Sequence, residues 1–449
     1  MTNPITAALI DETCRYIPDV QPADSSVRPA GERPWQKWLD AKLGLRDYWY
    51  PIELTRNLRE GESHVMTPLG EEILLMRKDG KVHAIENRCC HRGARLSEKP
   101  LCLSKDTITC WVHTFTYSLE DGTIRTILNM PDSKVIGRPG IKIYPVQEVK
   151  GLIFVFIGDI EPPPLERDVP PGFLDEDNAV YVAETDIVEA NWRLGCEGSF
   201  DPAHHFIHNW STFSVDNRLP MSLGWVPDLK HLADVLNYSA PEDGPKGFQR
   251  SGADTDMSFE AEIPNKDKTG STNYTVPMAR GMSEEQLHTL QNSDFEVEVG
   301  LWLPCGTRIT PWPNPGVTTG EFFVPRDANS HYYVQYGSKK VKSEEERKAW
   351  ESGEMGIPLW KTPNVDGFTK EDILAREALA KFYDEESGWD RETLMGCDLE
   401  LLMWRRFASQ HARGPVQQEK HIQGRFRKQP VCSPTAAPAS ATIPIVKAA

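Results

Sequence analysis

The sequence predicts an α+β protein, in which a small all-β domain precedes a larger domain that combines an antiparallel sheet with helices. Residues 47–160 alternate short apolar runs with turn signals, as in the hairpin pattern at residues 72–85. Consecutive prolines at residues 162–164 and 170–171 then exclude both a helix and a central strand. From there to residue 420, strand-like runs are interspersed with longer helical segments, which is typical of an α+β domain.

We divide the chain into four parts. Residues 1–46 form a polar N-terminal arm with one helical segment at residues 34–43, and residues 47–160 and 161–420 form the two domains. Residues 421–449 are the C-terminal tail, and they become rich in Ala, Pro, Ser and Thr toward the end. Such a composition buries too little apolar surface to offset the entropy lost on folding, so we predict a flexible tail.

Composition and charge exclude several classes of protein. The 449-residue chain carries a net charge of −16, which is a poor match for the phosphates of a nucleic acid. It has no run of about 18 apolar residues that could span a membrane, and its start does not resemble a secretory signal. Its nine cysteines are irregularly spaced, which indicates a reducing cytoplasm rather than a disulfide framework.

Two Cys-His pairs carry the first chemical signal. Cys89 and His91 are two positions apart, and Cys110 and His113 follow after a spacer of eighteen residues. Two Cys and two His can hold a tetrahedral zinc, or a [2Fe–2S] cluster in which two His bind one iron. Residues two apart on an extended chain point the same way, with Cα atoms roughly 7 Å apart, which favours two neighbouring irons. Gly93 permits a tight loop beside these ligands.

Two other thiols lie near this motif. The C-x-H spacing selects Cys89 over Cys90 as a ligand, because Cys90 directly adjoins His91. We therefore expect Cys90 to be a packed thiol close to the cluster. Cys102 fits no ligand position, and we expect it to be a small buried residue.

A second constellation occupies residues 201–208. Asp201 and Pro202 predict the start of a helix, with Asp as the cap and Pro in the first turn. On such a helix His204 and His208 share a face, and a carboxylate would complete the facial triad of non-haem Fe(II) oxygenases. The alternatives are a structural or exposed His pair with Asp201 as a plain cap, and His205 as a competing ligand.

Both constellations match one known family. The pattern C-x-H-R-G…C-x-x-H resembles a Rieske ferredoxin-like domain, and N-W-R-x3-E-x3-D-x2-H-x3-H at residues 191–208 resembles the iron motif of Rieske oxygenase α-subunits. Further stretches, at residues 43–51, 144–148, 162–165 and 375–378, are similar to the branch of carbazole dioxygenase and 2-oxoquinoline monooxygenase. The resemblance implies a helix-grip-like catalytic domain and two metal centres. Cys89, His91, Cys110 and His113 would hold the [2Fe–2S] cluster, and His204, His208 and a late carboxylate would hold mononuclear Fe(II).

The resemblance assigns that carboxylate to a late helix, where Asp372 is the best match. Glu371 and Glu377 are the other candidates. Thr369 and Asp372 also have the spacing of a capping box, in which Asp372 would only stabilise the start of the helix.

The resemblance also implies a second role for Asp201. In the family, the Asp three residues before the first His bridges to a cluster ligand of a neighbouring subunit. Here Asp201 would accept hydrogen bonds from His113, or His91, of the neighbour and from His204. A carboxylate between two metal-bound imidazoles orients both of them. This implies a homotrimer in which each cluster serves the iron of the next subunit.

The implied function is that of a terminal oxygenase component, which uses O2 and electrons from an NADH-dependent reductase, directly or through a ferredoxin. The main expectation is monooxygenation of 2-oxo-1,2-dihydroquinoline at C8, and the alternative is angular or cis-dihydroxylation of carbazole-like aromatics. A Rieske electron-transfer protein without the second site is the rival from another class.

Two groups of residues complete the sequence-based hypothesis. A basic patch predicts either docking of an acidic partner or a solvated loop, and it consists of Arg88, Arg92, Arg95, Lys99 and Lys105. Apolar residues near the predicted iron suit a flat ring substrate, although core packing is the alternative: Phe200, Phe206, Ile207, Trp210, Phe213, Trp302 and Leu303.

Overall fold

The computed structural model describes residues 12–17, 33–201, 203–204, 207–208, 211–217, 236–251, 260–264, 271–275 and 297–423. The predicted tail lies outside this part apart from residues 421–423, and so do His205, Phe206 and Trp210. The chain divides into two units. The larger comprises residues 1–57, 68–70 and 147–417, and the smaller comprises residues 58–67, 71–146 and 418–449.

The strands of the described residues are numbered in chain order. They are β1 (Tyr48–Leu54), β2 (Ser63–Met66), β3 (Ile73–Lys78), β4 (Lys81–Glu86), β5 (Thr107–Thr109), β6 (Phe115–Ser118), β7 (Ile124–Ile127), β8 (Ile143–Tyr144), β9 (Val146–Val149), β10 (Leu152–Ile157), β11 (Asn178–Val182), β12 (Asp186–Val188), β13 (Leu236–Ser239), β14 (Gly247–Ser251), β15 (Glu260–Pro264), β16 (Ser271–Thr275), β17 (Glu298–Trp302), β18 (Gly306–Thr310), β19 (Val317–Pro325) and β20 (His331–Lys340).

The α-helices are α1 (Gln36–Asp40), α2 (Trp192–Phe200), α3 (Thr212–Asn217), α4 (Glu344–Glu351), α5 (Thr369–Asp384), α6 (Gly388–Arg391), α7 (Leu399–His411) and α8 (Glu419–Gln423). A π-helix spans Ile357–Asp366, and short 3-10 helices occupy Thr55–Asn57, Pro68–Gly70, Leu96–Glu98, Leu165–Arg167 and Gly396–Asp398. Within the described ranges, none of the helices combines the length and the apolar character needed to cross a membrane.

The smaller unit contains two sheets, with strand orders β2-β3-β4-β8 and β5-β6-β7. Asp79 and Gly80 join β3 to β4 with positive φ values of 53° and 74°, as a tight hairpin requires. The predicted hairpin is therefore confirmed. The core of this unit includes Leu74, Ile108 and Tyr117.

The larger unit contains an eight-stranded antiparallel sheet, ordered β11-β20-β19-β18-β17-β14-β13, with β12 paired to β20. One face packs on the sheet β1-β10-β9 through the rings of Phe154, Phe173 and Phe322, whose centroids lie 5.9–6.1 Å apart. The opposite face carries Phe323 and Tyr333, which pair across β19 and β20 and lie against α2 and α5. Antiparallel sheet and covering helices confirm the predicted α+β class.

β1 and β10 belong to the larger unit, although they lie within residues 47–160 of the chain. Every residue of β10 is buried, and its Phe154 contacts the ring of Phe322 on the large sheet. Burial on both faces gives a continuous apolar run, which does not reveal which domain supplies the second face.

The helix α2 is held in place by the first half of the motif at residues 191–208. Asn191 caps the helix through its side chain, and Nε1 of Trp192 donates to the carbonyl of Ala41 at 2.9 Å. Glu197 forms a buried ion pair with Arg405 of α7 at 2.7 Å. These residues therefore orient α2, whose end leads into the segment of the predicted iron ligands.

Candidate metal centres

Two loops of the smaller unit present the Cys-His pairs, and both have the same backbone geometry. In each loop the N–H of the Cys bonds to the carbonyl five residues later, and the N–H four residues later bonds to the carbonyl of the Cys. The bonds are Cys89 N to Ala94 O (2.9 Å), Gly93 N to Cys89 O (2.9 Å), Cys110 N to Phe115 O (2.7 Å) and Thr114 N to Cys110 O (3.0 Å).

The fourth residue after each Cys has a positive φ, which turns the chain back. It is Gly93 in the first loop, at 74°, and Thr114 in the second, at 60°. A β-branched residue rarely adopts this conformation, and such strain is common at functional sites. The hydroxyl of Thr114 donates to Asn129 at 3.1 Å, which helps to hold the turn.

The four side chains divide into a buried sulfur pair and an outer imidazole pair. Cys89 and Cys110 are 1% and 0% exposed. His91 is exposed and His113 half-buried, and their ring centroids lie 4.6 Å apart. This arrangement suits a cluster whose inner iron takes two thiolates and whose outer iron takes two imidazoles.

The same residues fit a single zinc ion less well. Around a tetrahedral ion all four ligand atoms lie within about 4 Å of one another. In the part of the chain that the structure describes, the group whose ligand atoms approach within 4.8 Å is a different one, and it lies in the larger unit. The spread of the two Cys and two His therefore favours a binuclear cluster.

Tyr117 contacts the sulfurs and had not been singled out from the sequence. Its hydroxyl lies 2.9 Å from Sγ of Cys89 and 3.4 Å from Sγ of Cys90. Burial raises the pKa of Tyr117 far above its usual value, so the hydroxyl stays protonated and can donate. Burial also raises the pKa of the Cys89 thiol to about 11, so its thiolate needs the charge of a bound metal and this hydrogen bond.

The predictions for the other two thiols differ in outcome. Cys90 is half-buried beside Tyr117, as expected of a packed thiol near the cluster. Cys102 is exposed, so the prediction of a buried residue is wrong. It lies between Leu101 and Leu103, which are also exposed, so local apolar sequence did not imply burial at this turn.

We predict that Tyr117→Phe lowers the reduction potential of the cluster. A hydrogen bond to a charged acceptor contributes about 1.5–3 kcal/mol, and it stabilises the more negative, reduced state preferentially, so we expect a fall on the order of 50 mV. A redox titration followed by EPR measures the potential. Tyr144→Phe is the control, because this Tyr of the same unit donates to Glu71 instead, at 2.6 Å. An unchanged potential in Tyr117→Phe, or an equal fall in Tyr144→Phe, would contradict the prediction.

The second constellation begins where α2 ends. Phe200 is the last helical residue and Asp201 is extended, with φ −64° and ψ 116°. This is the backbone geometry of a helix cap, as predicted, but the described residues that follow are 3-10 rather than α-helical. The carboxylate of Asp201 accepts the N–H of Ala203 at 2.7 Å, and His204 and His208 lie in 3-10 turns.

His204, His208 and Asp372 are brought together by this turn and by the first turns of α5. Nε2 of His208 lies 3.6 Å from Oδ1 of Asp372, and Nε2 of His204 lies 3.9 Å from the same oxygen. The three ligand atoms all lie within 4.8 Å of one another. His208 is fully buried, whereas the side chains of His204 and Asp372 are 19% and 13% exposed.

This group fits one metal ion. Two ligand atoms that are each about 2.1 Å from an ion are roughly 3.0–3.6 Å apart when the angle at the ion is about 90–120°. Nδ1 of His204 contacts the main-chain carbonyl of Asp201, which orients the ring and directs Nε2 at Asp372. The partly exposed side leaves room for further ligands, as a facial triad requires.

Asp372 is the carboxylate that the fold presents to both imidazoles, rather than Glu371 or Glu377. Glu377 accepts the N–H of Glu189 at 3.2 Å on an exposed side. Asp372 also does not act in a capping box, because the N-cap of α5 is Phe368 and makes no side-chain cap.

Asp201 departs in part from its expected role. The oxygen that contacts Nδ1 of His204 is the carbonyl of Asp201, whereas its carboxylate bonds to Ala203. The contact with His204 was expected of the carboxylate.

Of the apolar residues predicted to lie near the iron, Phe200, Trp302 and Leu303 are buried, and several others lie outside the described residues. Phe200 packs against Phe248 with centroids 4.9 Å apart. Trp302 and Leu303 are buried, at 2% and 1% exposure. Phe206, Trp210 and the side chain of Phe213 lie outside the described residues. The ring of Phe368 stacks on that of His208, a predicted iron ligand, with centroids 3.7 Å apart.

Comparison with known families agrees with both centres. Residues 48–145 match the Rieske [2Fe-2S] domain, and residues 156–417, more than half of the chain, match the family described as homotrimeric ring hydroxylase. The chain belongs to the homotrimeric ring hydroxylases. As a Rieske ring hydroxylase it uses a [2Fe–2S] cluster and a mononuclear iron, which excludes the zinc interpretation and the purely electron-transferring protein.

Several relatives of this ring hydroxylase match nearly over their whole length. The carbazole 1,9a-dioxygenase terminal oxygenase component of Metapseudomonas resinovorans is 38% identical over 392 residues, which are 87% of this chain and 96% of the relative. That of a Sphingomonas species is 39% identical over 393 residues, 87% of this chain and 97% of the relative. The structure of the terminal oxygenase from Novosphingobium sp. KA1 has a TM-score of 0.73 at 38% identity, and it covers 86% of this chain and 98% of that chain.

The match places the ring hydroxylase among Rieske oxygenase α components, as the sequence predicted. The preference for monooxygenation is not supported, because the full-length relatives are dioxygenases. A reduced complex between oxygenase and ferredoxin in carbazole 1,9a-dioxygenase is also similar, with a TM-score of 0.74 at 37% identity over 87% of this chain and 95% of that chain.

Proposed function

We propose that this chain is the terminal oxygenase of a dioxygenase that acts on flat, carbazole-like aromatic rings. The observation that carries the proposal is the similarity to two carbazole 1,9a-dioxygenase components over 87% of the chain, at 38% and 39% identity. The similarity spans both metal-binding units, so it includes the electron-entry domain and the domain that would bind the substrate.

Each centre is assigned its ligands from this chain. Cys89, His91, Cys110 and His113 hold the [2Fe–2S] cluster in the two matched loops. The mononuclear iron is held by His204, His208 and Asp372. When bound, the cluster stores and passes single electrons, and the iron binds and activates O2.

The residues of the chain position these groups and keep one side of the iron accessible. His208 is fully buried and stacked on Phe368, so its ring cannot rotate freely. His204 is oriented by the carbonyl of Asp201. All three ligands approach from the turn after α2 and from α5, which leaves the opposite side for O2 and the ring substrate.

Electrons enter through a ferredoxin that is reduced by an NADH-dependent reductase. Trp111 and Val112, next to His113, are 39% and 42% exposed, which provides an apolar contact surface beside the cluster. Lys99 lies over the Trp111 ring at 5.4 Å, and it belongs to the basic patch that would attract an acidic partner. None of the eight described cysteines is joined to another by a disulfide, which suits a reducing cytoplasm.

Monooxygenation of 2-oxo-1,2-dihydroquinoline at C8 is the second candidate. The observation in its favour is length: the two carbazole relatives are covered to 96% and 97%, yet they leave 13% of this chain unmatched. The same iron face serves both types of oxygenation.

Product analysis separates the two candidates. The purified oxygenase, a ferredoxin, its reductase, NADH and isotope-labelled O2 are incubated in turn with carbazole, fluorene and 2-oxo-1,2-dihydroquinoline. We expect a product from carbazole that carries both oxygen atoms of O2. Incorporation of one atom into 2-oxo-1,2-dihydroquinoline, with no carbazole product, would replace the first candidate by the second. His208→Ala is the control, because any product that persists without this ligand is not formed at the assigned iron.

A further inference from the structure

The helix α5 presents three side chains at intervals of four residues, Phe368 at its cap and Asp372 and Arg376 within it. Residues four apart lie on the same side of a helix. Phe368 stacks on His208, and Asp372 faces both imidazoles. Arg376, one turn further, is only 3% exposed and has no place in the ligand set.

Arg376 of α5 lies over two aromatic rings of the large sheet. Its guanidinium is 4.9 Å from the ring centroid of Phe323 and 4.7 Å from that of Tyr333. Nη2 donates to the hydroxyl of Ser199 at 3.4 Å. Burial opposes its charge, yet Tyr333 and Asp372 raise the pKa of Arg376 above its usual value, so the cation persists.

The compensating charge is Glu321, which is 5% exposed. Its carboxylate accepts hydrogen bonds from Ser199 at 2.6 Å, from Thr307 at 3.0 Å and from the hydroxyl of Tyr333. Ser199 therefore links the cation of α5 to the carboxylate of β19. Two buried charges cost desolvation energy that apolar residues would avoid, so stability alone does not explain the pair.

Because of where Ser199 lies in the chain, its contact with Arg376 bears on how the iron ligands are positioned. Ser199 is the penultimate residue of α2, five residues before His204, whereas Arg376 is one turn after Asp372. The contact joins the two segments that supply the ligands. At the start of α5, Nε2 of Gln335 donates to Thr369 at 3.0 Å, so the helix is anchored on both sides of Asp372.

We propose that Arg376 is a positioning residue for the iron site, which sets the rotation of α5 through Ser199 and Glu321 so that Asp372 faces His204 and His208. This inference rests on the proposed function, in which these three residues hold iron. Arg376 is not one of the three proposed ligands, and it acts through α5.

The test measures Fe(II) affinity rather than turnover alone. Wild type, Arg376→Met, Arg376→Lys and the double variant Arg376→Met with Glu321→Gln are depleted of mononuclear iron by a chelator and titrated with Fe(II). The EPR signal of the nitric oxide adduct reports the ligand geometry, and cluster absorbance reports folding. Lys381→Met is the matched control, since it removes a 75% exposed cation from the same helix.

We expect Arg376→Met to bind Fe(II) about 10–100-fold more weakly, as is typical when the support of a metal ligand is removed, with an altered nitric oxide adduct and an intact cluster. Arg376→Lys recovers part of the affinity because the charge remains. If Arg376→Met does not fold, the double variant tests the proposal instead, because it removes both buried charges. Weaker Fe(II) binding in the double variant supports the proposal.

Affinity within twofold of wild type in a folded Arg376→Met or in the double variant would overturn the positioning role. The same loss in Lys381→Met would also overturn it, since the effect would then belong to the helix as a whole. A wild-type chain that takes up no iron beyond the cluster would instead overturn the proposed function.

Discussion

Replacing Asp372 by Ala is expected to reduce kcat by more than about 100-fold, because loss of a ligand exceeds the 10–100-fold cost of removing an outer partner. Asp372 supplies the oxygen that lies 3.6 Å from His208 and 3.9 Å from His204, and its removal leaves two imidazoles. The cluster loops belong to the other unit and keep their ligands. We expect iron to fall from about three to about two atoms per chain, with unchanged cluster absorbance.

The neighbouring carboxylates are the controls for this variant. Glu371→Ala and Glu377→Ala remove the other candidates on the same helix, and both are expected to keep the third iron. Retention of iron in Asp372→Ala, together with its loss in either control, would transfer the ligand role to that carboxylate. Only two irons per chain in the wild type would exclude the oxygenase site itself.

Asp201→Asn is expected to lower turnover by about 100-fold while both metal centres remain loaded, because it disables the proposed junction between subunits. One carboxylate oxygen of Asp201 accepts the N–H of Ala203 at 2.7 Å, and the other would accept the imidazole N–H of the neighbour's cluster ligand. Asn can keep the first bond through its carbonyl, but its second atom is then an NH2 donor. Two N–H donors would then face each other. The neighbour's imidazole would lose the acceptor that orients it and the negative charge beside it, and electron transfer would be impaired.

Stopped-flow mixing of the reduced oxygenase with substrate and O2 measures this effect, since the rate of cluster reoxidation reports transfer between centres. Asp216→Asn is the control, as it changes an exposed Asp on α3 close by in sequence. Wild-type reoxidation and turnover in Asp201→Asn would refute the bridging role. Loss of iron in that variant would show that Asp201 supports the ligand segment instead.

The sequence by itself determined the chemistry of the two centres to a large extent. Cys89, His91, Cys110 and His113 could be proposed as cluster ligands from sequence because they lie in two short loops, where local spacing controls the directions of their side chains. Gly93 was identifiable for the same reason, since a positive φ is a local property. The helix α7, at residues 399–411, is of the kind that sequence reveals best, because its pattern is periodic and long.

Local signals were ambiguous where a turn depends on what precedes it. Asp201 and Pro202 have the composition of a helix start, yet α2 ends at Phe200 and the turn that follows is 3-10. The same two residues can begin one helix or close another. Which of the two occurs depends on the preceding helix, and the buried pair of Glu197 and Arg405 anchors that helix.

Only the tertiary structure decided which groups share a site when they are far apart in sequence. Asp372 follows His204 by 168 positions, and nothing in its local pattern distinguishes it from Glu371. The fold brings Oδ1 of Asp372 to both imidazoles and leaves Glu377 on an exposed side. No sequence motif identifies Arg376 and Glu321, because the pairing of a buried charge on a helix with one on a strand depends on how the two elements pack. Ligand spacing is a property of short segments, whereas the partner of a buried charge depends on how those segments pack in the folded chain.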